Sequence, residues 1–397
     1  MQDLSEASER MRILALNCGS SSIKSAVIDM TSGRRVLRAI VEEIGSTSGT
    51  LTIEGVQQPY PCCDIPEAAQ RLLDQVRSKA GRVDGVAHRI VHGGAKFVRP
   101  TLLDDTVLHE LETLDDLAPL HNPPALATVA VARRFFDDVP HVAVFDTAFH
   151  ATLPPHARDY ALPRDVVRQF GLRRFGFHGT SHSHVARAVA DELGSEVQSP
   201  RIVSCHLGNG ASITAIEDGR SVETSMGMTP LEGLVMGSRS GDIDPGILLR
   251  LLESGHYDVQ SLDTLLNKQS GLKGMTGTND FREIDARAAL GDEDCRLAIA
   301  VYAHRIRKYV GAYAAVMGGV DAIAFTGGVG ERSVLMRHRV LQRCEFLGVV
   351  LDEDKNREAT HVESIVDVSA VGSHVRVFVV AANEELSIAR ETAELLS

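Results

Sequence analysis

Arg89 lies among apolar neighbours in His88-Arg89-Ile90-Val91-His92-Gly93-Gly94, near the end of an expected strand, and Arg239 lies in the Gly-rich loop Ser238-Arg239-Ser240-Gly241-Asp242. A guanidinium in apolar surroundings must find an anion or stay solvated. Judged singly, each reads first as half of a structural ion pair. With Lys24 they make a basic cluster able to take a polyanion. The densest histidine run is Phe175-Gly176-Phe177-His178-Gly179-Thr180-Ser181-His182-Ser183-His184. His178 and His182 could share a helix face and bind zinc, but the Glu of H-E-x-x-H is missing and Gly179 interrupts the helical pattern. A histidine donating to a phosphoryl oxygen fits the run better. Asp146 follows the expected strand Val142–Phe145, where open α/β sheets place functional acids, although alone it reads more plainly as a strand-end Asx turn.

Three Gly-rich segments each follow an apolar strand. Gly19-Ser20-Ser21-Ser22 offers successive N–H groups and three hydroxyls that can cradle phosphate oxygens, with Lys24 just beyond. His206-Leu207-Gly208-Asn209-Gly210 and Phe325-Thr326-Gly327-Gly328-Val329-Gly330-Glu331 are the other two. One such turn carries little weight, but three point to a nucleotide. No G-x-x-x-x-G-K-[ST] occurs, and Gly328-Val329-Gly330 is not continued as G-x-G-x-x-G, so P-loop and Rossmann folds are disfavoured.

Something must hold these segments. The chain has 397 residues, 44% hydrophobic and 24% charged, which suits two globular domains. A net charge of −12 argues against nucleic acid or an anionic membrane as partner. Six cysteines without a C-x-x-C pair fit neither a disulfide framework nor a zinc ribbon, and the N-terminus lacks an apolar targeting segment. A soluble cytoplasmic protein is expected, with residues 1–10 a disordered leader. Strands are predicted at Arg12–Leu16, Ile23–Asp29, Arg35–Ile44, Thr50–Ile53, Gly85–Val91 and Ala322–Phe325, and helices at Pro66–Lys79 and from Asn122-Pro123-Pro124. Arg12–Ser22 matches Arg201–Ala211 without a gap: strand, polar residue (Asn17 or His206), Gly-rich turn. A duplicated α/β domain with a cleft between the halves follows. The expected division is 11–148 with 382–397 against 149–381. Two phosphate loops and a third Gly-rich segment resemble the duplicated, ribonuclease H-like ATPase fold of actin, Hsp70 and sugar kinases.

Taken in order, the segments resemble the acetokinase family, the acetate, propionate and butyrate kinases. The matches are Asn17–Lys24, His88–Gly94, Leu120–Pro124, Phe145–His150, Phe175–His182, His206–Ser212, Gly237–Gly246, Phe325–Arg332 and Asn383–Glu385. The resemblance implies reversible in-line transfer of the ATP γ-phosphoryl group to a small carboxylic acid, acetate first and propionate or butyrate as alternatives. It implies magnesium or manganese held through Asn17 and Glu384, and a homodimer. Arg89 and Arg239 would bind the carboxylate and the transferring group, His178 would stabilise the transition state, and Asp146 would also be essential. Lys24, His206, Leu207, Gly208, Asn209, Gly210, Asp280, Phe281, Arg282, Gly328, Val329, Gly330, Glu331 and Arg332 would bind ATP. Val91, Leu120, Phe177 and Pro230 would surround the acyl methyl. Arg332 departs from the asparagine common there, and Ser238 and Ser240 replace threonine and cysteine. A fatty-acid carboxylate is already ionised at pH 7, so catalysis would rest on positioning and charge neutralisation without a general base. The reading from a different class is an ATP-gated module of the Hsp70 or actin kind.

Overall fold

The computed structural model describes residues 11–119 and 121–397, so the leader 1–10 and Leu120 lie outside the described residues. Two compact units divide the chain: one runs to Phe149 and regains Asn383–Ser397, and the other is His150–Ala382.

Among its described residues the first unit forms an eight-stranded sheet. Its strands are β1 (Arg12–Cys18), β2 (Ser22–Asp29), β3 (Arg35–Glu42), β4 (Thr50–Ile53), β5 (Val56–Pro59), β6 (Gly85–Ile90), β7 (Thr101–Leu102) and β8 (His141–Phe145). The order is β5-β4-β3-β2-β1-β6-β8-β7. Strands β1, β6 and β8 run parallel and are buried on both faces, which is why β8 reads as an uninterrupted buried run. Leu14, Leu16, Ile23 and Val27 pack on one face with Leu72, Leu73 and Val76 of the helix Ile65–Ala80 and Val129 and Ala132 of the helix Asn122–Phe135. The first of these helices starts where Asp64 accepts from Glu67 N–H at 2.9 Å, and it stops at Gly81, whose φ of 71° a side chain would resist. Ile13, Ala15, Ala87 and Val144 line the opposite face, covered by Leu386, Ile388 and Ala389 of the C-terminal helix Glu384–Leu396.

The second unit repeats this plan. Its strands are β9 (Arg201–Leu207), β10 (Ala211–Glu217), β11 (Arg220–Thr224), β12 (Ala322–Thr326), β13 (Ile365–Asp367) and β14 (Arg376–Val380), in the order β11-β10-β9-β12-β14-β13. The run β3-β2-β1-β6-β8 therefore has its counterpart in β11-β10-β9-β12-β14, with the same strand directions. The likeness reaches single residues. Arg12 N–H donates to Asp84, just before β6, at 2.9 Å, and Arg201 N–H donates to Asp321, just before β12, at 2.8 Å. The matched segments begin the two central strands, but their turns differ. Cys18 pairs with Ile23 across Gly19–Ser22, whereas Leu207 pairs with Ala211 across the three residues 208–210. The gapless match ends there.

Two local expectations are corrected. Gly179 opens the helix Gly179–Leu193 rather than breaking a helical pattern, and His178 stands before it in the left-handed region (φ 57°, ψ 27°). His178 and His182 thus do not share a helix face. The segment after β12 is a strand-to-helix junction with Gly327–Arg332 helical, not a plain turn.

Candidate active site

On the first unit the candidate residues meet along one cross-strand row. Lys24 on β2, Asn17 on β1, Arg89 on β6 and Val144 on β8 are successive register partners, on the sheet face that carries Ala15, Ala87 and Val144. Arg89 donates Nε to Asp146 Oδ1 at 2.9 Å and Nη2 to Asp146 Oδ2, a bidentate pair, and donates Nη1 to Asn17 Oδ1 at 3.1 Å. Asn17 Nδ2 then donates to Glu384 Oε2 at 3.0 Å, at the start of the C-terminal helix. Burial opposes the charge on Arg89, but Asp146 and Glu384 outweigh it and raise the guanidinium's pKa further above its ordinary value. Asp146 is buried and spends both oxygens on Arg89, the geometry of a carboxylate that orients an arginine. Lys24 is exposed.

Val91 is buried one residue beyond β6. Asn122, fully buried, clamps the next residue: its Oδ1 accepts from His92 N–H at 3.2 Å and its Nδ2 donates to His92 O at 3.1 Å. Thr147 Oγ1 accepts from Gly93 N–H at 3.2 Å, and a Cβ on Gly93 would overlap Phe97 O. Asn122 and Thr147 lie inside segments singled out from the sequence, yet a buried amide that braces a loop has no signature of its own.

On the second unit the row in the same place is Thr326 on β12, His206 on β9 and Ser212 on β10. Ser212 Oγ lies 2.9 Å from His178 Nδ1 and 2.8 Å from His182 Nε2, while His182 Nδ1 lies 2.8 Å from Ser204 Oγ. His206 stacks on His178 with ring centroids 4.3 Å apart, and its Nδ1 lies 2.8 Å from Ser181 Oγ. The backbone entering His178 is held by buried His150, whose Nε2 lies 3.0 Å from Phe177 O and whose Nδ1 lies 2.8 Å from Ser221 Oγ. Phe177 itself is buried.

Gly210 keeps open the space these groups face. A Cβ built there would lie 3.4 Å from His178 Nε2 and 3.7 Å from Arg239 Nη1. Arg239 comes from a loop pinned by main-chain bonds from Ser240 N to Leu266 O (3.1 Å) and from Leu272 N to Met236 O (2.9 Å). Its Nη1 donates to Pro230 O at 3.3 Å. Among the described residues no carboxylate pairs with Arg239, and burial lowers its pKa from the usual value. A half-buried cation without a counter-charge is an anion site.

The same Gly-rich turn borders a cleft of about 310 Å³. Of the expected ATP residues, Gly208, Asn209, Asp280, Phe281, Arg282, Gly328, Val329 and Arg332 line it. Asp280 caps the helix Phe281–Ala289, accepting from Arg282 N–H at 2.9 Å, and the Arg282 side chain holds its carboxyl below the usual range. The other expected residues lie elsewhere. Leu207 is core, Gly210 faces His178, and Gly330 packs on Phe325; Glu331 accepts from Ala382 N–H at 3.1 Å. Lys24 belongs to the first unit. Gly237 and Asn279 also line the cleft, although no ATP contact was expected of either. A Cβ on Gly237 would overlap Asn209 Oδ1, the atom to which Asn279 Nδ2 donates at 3.1 Å, so these residues fix how Asn209 faces the cleft. Asn279 adjoins Asp280-Phe281-Arg282 and Gly237 opens the Arg239 segment, and adjacency was the only signal.

A family model described as the acetokinase family matches residues 12–390. The chain belongs to the acetokinase family. It is 46% identical over 389 residues to the acetate kinase of Clavibacter michiganensis subsp. michiganensis (strain NCPPB 382), covering 96% of this chain and 98% of that one. The crystal structure of Porphyromonas gingivalis acetate kinase matches with a TM-score of 0.90 at 40% identity, over 98% of this chain and all of that one. A propionate kinase from Francisella tularensis subsp. tularensis SCHU S4 matches with a TM-score of 0.89 at 37% identity, over 96% of this chain and 98% of that one. The two-sheet α/β fold is that of the acetokinase family, and the duplication expected from the sequence is present in the strand order of the two sheets.

Proposed function

We propose that this chain catalyses reversible transfer of the γ-phosphoryl group of Mg·ATP to acetate, giving acetyl phosphate and ADP. The observation that carries this reading is the pairing of Arg239, a half-buried cation with no carboxylate partner among the described residues, with His178 Nε2 over Gly210, on the turn that also borders the 310 Å³ cleft. The nucleotide takes the cleft, and the transferring group takes the space over Gly210. Acetate is ionised at neutral pH and attacks without losing a proton. The work left to the protein is to hold two anions in line and offset their repulsion, which Arg239 does by charge and His178 by an N–H donated to a phosphoryl oxygen. Asp146 is not a base here, because its oxygens are committed to Arg89. It orients Arg89, which takes the carboxylate of the acid.

Asn17 and Glu384 form an amide–carboxylate pair of oxygen donors, which suits magnesium held mainly by phosphate oxygens and water. Once bound, magnesium would offset phosphate charge. Val91, Leu120, Phe177 and Pro230 are assigned to the acyl group on the family resemblance alone. Acetate is preferred over propionate on the strength of the curated relatives' names, although the propionate kinase match shows how small the difference in framework is.

The active form is a homodimer in the cytoplasm. The helix Pro245–Glu253 buries none of its residues and leaves Ile247, Leu249 and Leu252 at 47%, 63% and 37% exposure, an apolar surface that a second copy would cover. Leu249→Asp is expected to halve the mass seen by light scattering, and an unchanged dimer would remove that face from the interface. No helix among the described residues is long and apolar enough to cross a membrane. The deciding assay traps acetyl phosphate as its hydroxamate from ATP, magnesium and acetate. ATP turnover without hydroxamate would reject the acid as acceptor and return the ATP-gated module.

A further inference from the structure

Ser212 touches two histidines with one hydroxyl. Its Oγ lies 2.9 Å from His178 Nδ1 and 2.8 Å from His182 Nε2, and the far nitrogen of His182 lies 2.8 Å from Ser204 Oγ. A hydroxyl has one proton to give, and a neutral imidazole has one N–H and one bare nitrogen. His182 is fully buried, and burial, then the neighbouring His150 and His206, keeps it uncharged. The chain of four groups then has three proton orders. In the first, Ser204 donates to His182 Nδ1, His182 Nε2–H donates to Ser212, and Ser212 donates to His178 Nδ1, which leaves the His178 proton on Nε2. In the second every bond is reversed, and in the third Ser212 accepts from both histidines; in either, neutral His178 carries its proton on Nδ1.

Only the first order gives an uncharged His178 a donor toward the space over Gly210. The other two give a donor there only if His178 takes another proton and becomes a cation. The groups facing it are the stacked His206 and, across Gly210, the Arg239 guanidinium. A second positive charge beside Arg239 costs Coulomb energy, so the neutral donor is the form that serves an anion there. We propose that Ser204, His182 and Ser212 form a relay of positioning residues that fixes His178 in the Nε2–H tautomer. The proposal rests on the reading that His178 donates to the transferring group. It deepens that reading by saying what holds the proton in place.

The test separates the two. In protein labelled with ¹⁵N at histidine, the His178 nitrogens are assigned by difference against His178→Gln. Wild type is expected to show Nε2–H and bare Nδ1 at about pH 8, above the ordinary histidine range. Ser212→Ala should show a mixture of tautomers. Its kcat at that pH should fall about tenfold, the population ratio that one ordinary hydrogen bond controls, with KM for ATP within about twofold. The kcat profile should also gain an alkaline limb, activity returning as pH falls and the imidazolium supplies the donor. A wild-type His178 found as the Nδ1–H tautomer or as a cation at pH 8 overturns the relay, and that measurement does not depend on whether Ser212→Ala folds. So does a Ser212→Ala enzyme that loses rate with its tautomer and pH profile unchanged. Near-normal kcat in His178→Ala would instead overturn the catalytic reading beneath it.

Discussion

Asp146 takes two hydrogen bonds from Arg89, so that guanidinium's charge is already matched, while half-buried Arg239 has no carboxylate partner among the described residues. The two arginines, alike in their apolar and Gly-rich sequence settings, therefore separate into an oriented contact and a free charge. Arg239→Ala should lower kcat on the order of 10³ while KM for ATP changes little, the scale set by arginines that act on a transferring phosphoryl group. Arg239→Lys should recover little, since the planar fork is lost. Steady-state kinetics decide it, and a near-normal kcat in either variant would remove Arg239 from the reaction. On the proposed function, Val91 is the residue that tests chain length. It is 6% exposed and follows the strand that presents Arg89, so Val91→Ala opens space for about one carbon. One CH₂ is worth about 0.8 kcal/mol, close to fourfold, so the propionate/acetate ratio of kcat/KM should rise about that much with KM for ATP unmoved. A changed ATP affinity with an unchanged ratio would take Val91 out of the acyl pocket. Individual roles were the least legible part of the sequence. Which arginine had a carboxylate depended on Asp146, fifty-seven residues away, and no local pattern encodes such a pairing.

At the scale of elements, strands and their ends were legible because buried strands are apolar runs stopped by glycine or a turn. What the runs could not show is how an end continues. Gly327–Arg332 is rich in glycine and reads as a turn, yet it is helical, held from behind by Arg337. That side chain is fully buried and donates to Gly330 O at 2.9 Å, Glu331 O at 2.7 Å, Asn356 Oδ1 at 2.7 Å and Ala359 O at 2.9 Å. A tertiary cation satisfies the carbonyls that glycine-rich sequence alone would leave fraying. Arg337→Met should cost about 3 kcal/mol, within the range for breaking a buried charged network, because the carbonyls lose their donors together. Urea unfolding measures it. Nucleotide affinity should fall in the same variant, as Gly328 and Val329 lose their backing. A stable protein that binds ATP normally would show that the helix stands without Arg337.

Across the whole molecule the duplication was readable from eleven residues, since a strand, a polar residue and a Gly-rich turn recur with the same spacing and head the same strand order in each sheet. Several histidines stood out in that frame as motif residues, but their burial did not. Burial lowers the pKa of His88, His141, His150 and His182, that of His150 to about 4. Their unfolded value is near 6.5, so above that pH neither state is charged and the stabilising effect is complete. Below it the unfolded chain takes up protons that the fold refuses, and stability falls as pH drops, by about 1.4 kcal/mol per unit for each such group. Two of the four alone would remove about 3 kcal/mol between pH 6.5 and 5, before the carboxylates begin to titrate. Urea midpoints at several pH values test this, and a flat midpoint down to pH 5 would contradict it. The turn lengths carry a different consequence, for what the chain can tolerate as it evolves. Surface turns ordinarily accept an added residue, and a four-residue turn in place of 208–210 would still let Leu207 pair with Ala211. What it would move is the turn itself: Gly210, which leaves open the space between His178 and Arg239, and Asn209, which borders the cleft, would no longer stand where they do. The two hairpins descend from one plan yet are no longer interchangeable parts, and a graft of one into the other would keep the sheet while closing the space over Gly210.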